Sequence, residues 1–144
     1  MPRPSEFSLR TVRHSGLVLS DILVNGVPLR ERLNRHEEGR FDHVSPLGWI
    51  EGSFERLALE LPPDLPGGRT SILVCSQCGD LGCGAVSAVI RRDGTNVLWD
   101  DMGLADNLGI DGEGPWLFEK ITSFVFDWES YAEALMARRA DESN

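Results

Sequence analysis

Residues 85–102 read AVSAVIRRDGTNVLWDDM, and this stretch decides the fold. Two runs rich in β-branched and apolar residues flank Asp93-Gly94, a dipeptide that favours the tight turns of β-hairpins. Residues 70–77, TSILVCSQ, add a run of the same kind just upstream. Because strands joined by tight turns pair antiparallel, the centre of the chain predicts an antiparallel sheet.

The N-terminal third continues this pattern. Residues 7–26 read FSLRTVRHSGLVLSDILVNG, which predicts two strands around Ser15-Gly16 and a turn at Asn25-Gly26. A short helix is predicted next, because Pro28 suits a first helical position and Leu29 and Leu33 lie four residues apart. Residues 36–52 carry three glycines and a proline, so they predict a loop.

Two more helices are predicted downstream. Ser53 is a suitable N-cap for FERLALEL, a helix that Pro62-Pro63 should end. Residues 103–116 predict a loop, and ITSFVF at 121–126 predicts a strand. Asp127 then caps a C-terminal helix with an amphipathic stripe formed by Trp128, Tyr131, Ala132, Leu135 and Met136.

These elements predict a single α+β domain over residues 1–144. We expect an antiparallel sheet of about five or six strands, packed by the C-terminal amphipathic helix and one or two short helices. Residues 1–6 and 140–144 are expected to fray, as chain ends without fixed partners do.

The net charge of the chain limits the classes of molecule that it is expected to bind. Lys and Arg number 14 against 23 Asp and Glu, so the net charge is −9. Such a chain repels nucleic-acid backbones and attracts proteins with a basic surface. No apolar run is long enough to span a bilayer, and residues 1–16 lack a secretory signal, so we expect a cytoplasmic protein that does not bind membranes. The oligomeric state stays open.

All three cysteines lie within residues 75–83, with the spacing Cys-x2-Cys-x4-Cys. Cys75, Cys78 and Cys83 could supply three of the four ligands that zinc needs, and glycine after the second cysteine is typical of zinc knuckles. The fourth ligand would be a histidine, Asp80 or water. Of His14, His36 and His43, His43 lies in a predicted loop and is the freest to reach the sulfurs.

Besides zinc binding, the cysteine segment allows a redox role and a purely structural role. Cys75 and Cys78 have the spacing of a redox dithiol, although no helix follows them that would lower a thiol pKa. The segment can also form a simple turn between two strands, with glycines at positive φ and the sulfurs acting as small apolar groups. Of these three interpretations, the residues favour the turn.

Two tryptophans lie in predicted loops, Trp49 in SPLGWIEG and Trp116 in GEGPW. Exposed loop tryptophans often anchor protein interfaces, so both are candidate partner-binding residues, unless the rings simply fold over the edge of the core. No hydrolase, metalloprotease, Walker-type or dinucleotide-binding motif occurs. The first hypothesis is therefore a non-enzymatic protein-binding or regulatory module, for instance an immunity-type protein that neutralises a basic toxin. A zinc protein and a thiol oxidoreductase are the alternatives.

The chain also resembles a family of small uncharacterised bacterial proteins. The likeness rests on CSQCGDLGCGAVSAVIRRDGTNVLWDDMG and SFVFDWESYAEAL, within residues 70–136, with weaker similarity in VNGVPLRERL and SPLGWIEG. Members of that family share a Cys-x2-Cys-Gly-Asp-x-Gly-Cys-Gly turn between strands, and some are labelled oxidoreductases. The resemblance implies a zinc or turn role for Cys75, Cys78 and Cys83, and it assigns no catalytic residue.

Overall fold

A computed structural model describes residues 3–14, 16–38, 40–76, 84–105 and 115–142. Within these residues, the N-terminal strands form a three-stranded antiparallel sheet in the order β1-β2-β3. Its strands are β1 (Phe7–His14), β2 (Leu17–Val24) and β3 (Val27–Pro28). The turn between β2 and β3 is Asn25-Gly26, where both residues have positive φ, as the dipeptide predicts.

A second sheet of six strands follows the order β4-β5-β6-β7-β8, with β9 also paired to β7. The strands are β4 (His43–Val44), β5 (Thr70–Cys75), β6 (Ala85–Asp93), β7 (Asn96–Ala105), β8 (Trp116–Leu117) and β9 (Phe124–Asp127). Strand β9 pairs with the first residues of β7, and β8 pairs with Gly103 and Leu104 near its end. All of these pairings are antiparallel.

The helices are α1 (Leu29–His36), α2 (Ser53–Leu57) and α3 (Trp128–Glu142). Asp127 caps α3 as predicted, because its carboxylate accepts hydrogen bonds from the backbone N–H and the hydroxyl of Ser130. These bonds lower the pKa of Asp127. Antiparallel sheets, a long C-terminal helix and two short helices confirm the predicted α+β class.

The main core packs both sheets against α1 and α3. Its centre is an aromatic group in which Trp99, Phe126 and Tyr131 are completely buried and Phe7 of β1 contacts all three rings. The Tyr131 hydroxyl donates to the Leu57 carbonyl at 2.5 Å and lies 3.3 Å from the Trp99 indole nitrogen. Burial raises the pKa of Tyr131, so the hydroxyl stays protonated.

A β-bulge interrupts the β6–β7 pair, and a buried arginine stabilises it. Two residues of β7, Asp101 and Met102, lie opposite the single residue Ala88 of β6, and Asp101 has a φ of 51°. The Arg69 guanidinium donates to the Ser87 hydroxyl at 2.9 Å, the Ser87 carbonyl at 3.1 Å and the Asp101 carbonyl at 2.5 Å. Burial lowers the pKa of Arg69.

The structure adds one feature to the predicted sheet and corrects the bounds of the second helix. The strands form two sheets, so the first hairpin lies outside the six-stranded sheet. The second helix begins after Gly52 and ends at Leu57, well before the prolines, because Leu59 adopts positive φ and the Glu60 N–H bonds to the Glu55 carbonyl.

The hairpin turn and the C-terminal stripe also differ from the prediction. Gly94 and Thr95 connect β6 to β7, since Asp93 still pairs with Asn96. Strand β7 continues to Ala105, into the predicted loop. Met136, predicted on the buried stripe, is 69% exposed.

The described chain ends make defined contacts. The Ser5 N–H donates to the Val125 carbonyl at 2.7 Å, beside a parallel bridge between Ser5 and Phe126. Helix α3 continues to Glu142. Within the described ranges, no helix combines the length and the apolar character needed to cross a membrane.

Candidate functional site

Strand β4 brings a predicted metal ligand next to the cysteine segment. It pairs with the end of β5 so that His43 lies directly opposite Cys75, and Val44 lies opposite Val74. Residues directly opposite each other in an antiparallel pair project to the same face of the sheet. Two of the four predicted zinc ligands therefore share one corner of the six-stranded sheet.

The hydrogen bonding of His43 fixes its tautomer. Its Nε2 lies 3.2 Å from the carbonyl oxygen of Gly84, the residue that precedes β6. A carbonyl only accepts, so Nε2 carries the proton and Nδ1 presents its lone pair. Nδ1 is buried and has no hydrogen-bond partner among the described residues.

The same corner keeps the imidazole neutral. Burial lowers the pKa of His43, although the bond to Gly84 and the charge of Asp42 oppose the shift. A neutral imidazole whose remote N–H is held by a backbone carbonyl is the usual state of a metal-ligating histidine. The arrangement of His43 is therefore suitable for binding a metal through Nδ1.

The described residues do not bring the other predicted zinc ligands together around His43. Cys75 is half-buried, while Cys78, Asp80 and Cys83 lie in residues 77–83, outside the described residues. His36 is the last residue of α1 and lines a groove with Trp116 and Leu117, and the side chain of His14 is not described. In the described ranges, no three His, Cys, Asp or Glu side chains form a group that could hold a metal ion. Zinc binding stays a prediction.

The second candidate site is the edge strand β8. Trp116 is 52% exposed and Leu117 is 55% exposed, which is unusual for two adjacent large apolar residues. Their backbone comes very close to β7, because a Cβ added to Gly103 would lie 2.5 Å from the Trp116 carbonyl oxygen. Only glycine at position 103 leaves room for β8 in this place.

Glu37 holds the chain segment that follows β8. Its carboxylate, just beyond the last residue of α1, accepts backbone N–H groups from Glu119 at 3.0 Å, Lys120 at 2.9 Å and Ile121 at 2.6 Å. Charge-assisted bonds of this kind are stronger than bonds between neutral groups. The exposed residues of β8 are thus carried on a segment that is anchored to α1.

A groove of about 380 Å³ separates α1 from β8. It is lined by His36, Glu37, Glu38, Leu104, Trp116, Leu117, Phe118, Glu119 and Lys120. Three glutamates face one lysine, and among the described residues neither Glu38 nor Glu119 has an ion-pair partner. We call Trp116, Leu117 and this groove the edge surface; it combines large apolar side chains with three glutamates.

The two tryptophans proposed as partner-binding residues lie in different surroundings. Trp49 is half-buried and packs against the smaller core group that contains Leu19, Val44 and Val74. Trp116 projects from the edge surface.

Three residues of the edge surface and its support were not predicted from the sequence, namely Leu117, Gly103 and Glu37. Leu117 follows Trp116 directly, so its position beside a loop tryptophan was an available clue. For Glu37 no local signal exists, because the N–H groups it accepts lie 82–84 residues away.

No known protein family, curated protein or solved structure matches the chain. The two sites must therefore be judged on their own chemistry.

Proposed function

We propose that the protein is a protein-binding module that uses the edge surface to bind a partner with a basic surface. The observation that carries this proposal is the pair of neighbouring apolar side chains, Trp116 and Leu117, each more than half exposed beside an acidic groove. Exposing large apolar groups to water is unfavourable, and burial in an interface removes that cost.

The composition of the edge surface fits this role. Tryptophan is enriched among the residues that dominate binding energy, and such residues are often ringed by polar groups that exclude water. The glutamates of the edge surface and the net charge of −9 favour encounter with a positively charged protein. The proposal includes two predictions from the sequence: the protein is cytoplasmic, and its partner is a protein and not a nucleic acid.

The test compares the wild-type protein with Trp116→Ala and with Met136→Ala. Met136 is also an exposed apolar side chain, but it lies on α3, so it is a matched control. Each protein is immobilised and exposed to a lysate of the organism that encodes it, and the retained proteins are identified. We expect the wild type and the Met136→Ala control to retain the same positively charged proteins, and salt should elute them. Trp116→Ala should no longer retain these proteins. Identical retention by all three would contradict the proposal.

A second candidate function is zinc binding by His43, Cys75, Cys78 and Cys83. The buried, unpartnered Nδ1 of His43 favours it, because that atom lies on the strand directly opposite Cys75. The thiol oxidoreductase alternative depends on Cys78, and the described residues do not test it. The resemblance to the bacterial family remains part of this second proposal.

Metal analysis tests the zinc proposal. Protein from zinc-supplemented cultures is assayed for bound metal, and cobalt replacement is followed through thiolate-to-cobalt absorption. We expect one zinc ion in the wild type and in His36→Asn, and a marked loss in His43→Asn. A wild-type protein without zinc ends this proposal, and full zinc content in His43→Asn removes His43 from the ligand set.

A further inference from the structure

A second groove, of about 210 Å³, lies between the β1–β2 hairpin, the start of α1 and β4. Arg10, Arg13 and Arg30 line it together with one acidic residue, Asp21. The lining therefore carries two net positive charges, on a protein whose net charge is −9. A local reversal of charge of this size favours an anionic ligand.

Two of these arginines are not neutralised within the described residues. Asp21 pairs with Arg10 at 3.0 Å, whereas Arg13 and Arg30 have no ion pair or side-chain hydrogen bond in the described part of the chain. Some other surface arginines are paired, as Arg35 is with Glu31 and Arg91 is with Asp100. The guanidinium groups of Arg13 and Arg30 retain their donors for a ligand.

A buried hydroxyl adds a fixed donor to the same groove. Ser45 is 2% exposed, and its oxygen accepts the Leu47 N–H at 3.1 Å. The hydroxyl hydrogen has no acceptor among the described residues, so it remains to donate. Arg30 is the second residue of α1, so the third arginine reaches the groove from the start of a helix.

We propose that this groove binds the phosphoryl group of a small phosphorylated molecule. A phosphate carries about two negative charges at neutral pH, which matches the net charge of the lining. Its oxygens suit bidentate bonds from arginine and a single bond from a hydroxyl. The groove is smaller than the pockets of about 300–1,000 Å³ that enclose drug-sized ligands, so it takes the phosphoryl group itself.

The test is calorimetric titration with glycerol phosphate at constant ionic strength, with sodium chloride as the blank. We expect saturable binding that Arg30→Gln weakens about tenfold or more, since a lost charge-assisted bond has that effect. Arg35→Gln changes an arginine on the same helix outside the groove and should leave binding unchanged. Ser45→Ala should weaken binding less than Arg30→Gln.

Vesicles that contain phosphatidic acid identify the source of the phosphate. Binding only to these vesicles, with the same dependence on Arg30, would assign the site to a lipid headgroup, whereas binding of glycerol phosphate assigns it to a free metabolite. No binding of either probe would overturn the proposal. Equal weakening by Arg30→Gln and Arg35→Gln would overturn it too, because it would indicate general charge attraction.

Discussion

Replacing Tyr131 with phenylalanine removes one oxygen atom from the centre of the core and leaves the aromatic packing in place. That oxygen donates to the Leu57 carbonyl at 2.5 Å and lies 3.3 Å from the Trp99 indole nitrogen. Leu57, Trp99 and Tyr131 are all completely buried, so water cannot replace the lost bonds. The substitution therefore isolates two buried hydrogen bonds.

The expected loss of stability follows from the two groups that lose their partner. A buried polar group without a partner costs about 1–3 kcal/mol. The Trp99 bond is long, so its share lies at the low end of this range, and part of the loss is offset because the hydroxyl no longer has to be desolvated. We expect Tyr131→Phe to lower the free energy of unfolding by about 2–3 kcal/mol.

Urea unfolding followed by far-ultraviolet circular dichroism measures this loss without relying on Trp99 fluorescence. Divided by a slope of about 1–3 kcal/mol per molar urea, this loss should lower the urea midpoint by about 0.7–3 M. Trp99→Phe is measured alone and together with Tyr131→Phe. The difference between the double variant and the sum of the two single variants gives the coupling energy of the weaker Trp99–Tyr131 bond. A loss below about 0.5 kcal/mol, the range of ordinary surface substitutions, would refute the reasoning.

Three further substitutions test other parts of the structure by the same urea assay. Gly103→Ala should cost about 1–3 kcal/mol and change the emission of Trp116, because the new Cβ meets the β8 backbone; unchanged stability and emission would show that β8 moves freely. Arg69→Met should lower the free energy of unfolding by about 2–4 kcal/mol, because it leaves two carbonyls of the bulge without a donor. The control Arg91→Met breaks a surface ion pair and should cost less than about 1 kcal/mol. The folded pKa of His43 lies below the unfolded value of about 6.5, so the unfolded chain takes up the proton first. Stability should therefore be complete above about pH 6.5 and decline below it, and His43→Gln should reduce that decline; identical pH profiles would contradict the shift.

Local sequence signals were sufficient where neighbouring residues decide the structure. Asn25-Gly26 and the segment around Gly94 turn the chain because glycine and asparagine accept positive φ. The capping of α3 by Asp127 is also local, since the groups involved lie three residues apart. Hairpins and capped helices follow from such signals, and the α+β class follows from their order.

Long-range contacts decided the rest. The first hairpin forms its own sheet, and it joins the core through Phe7, which packs on Trp99 and Tyr131 far away in the sequence. Met136 is 69% exposed, although its spacing matches the buried stripe. At the candidate metal site, the loop position of His43 was a valid clue, but its pairing with Cys75 depends on a strand of two residues that periodicity cannot reveal.

The carboxylate of Glu37 binds main-chain groups of residues 119–121 and no side chain of that segment. Every amino acid except proline offers the same N–H, so substitutions at Glu119 or Lys120 leave this anchor intact. The constraint on sequence therefore differs between the two sides of the groove. Position 37 must remain acidic, whereas positions 119 and 120 can vary in charge and size. Such a scaffold would let evolution, or an engineer, change what the edge surface recognises while its geometry is retained.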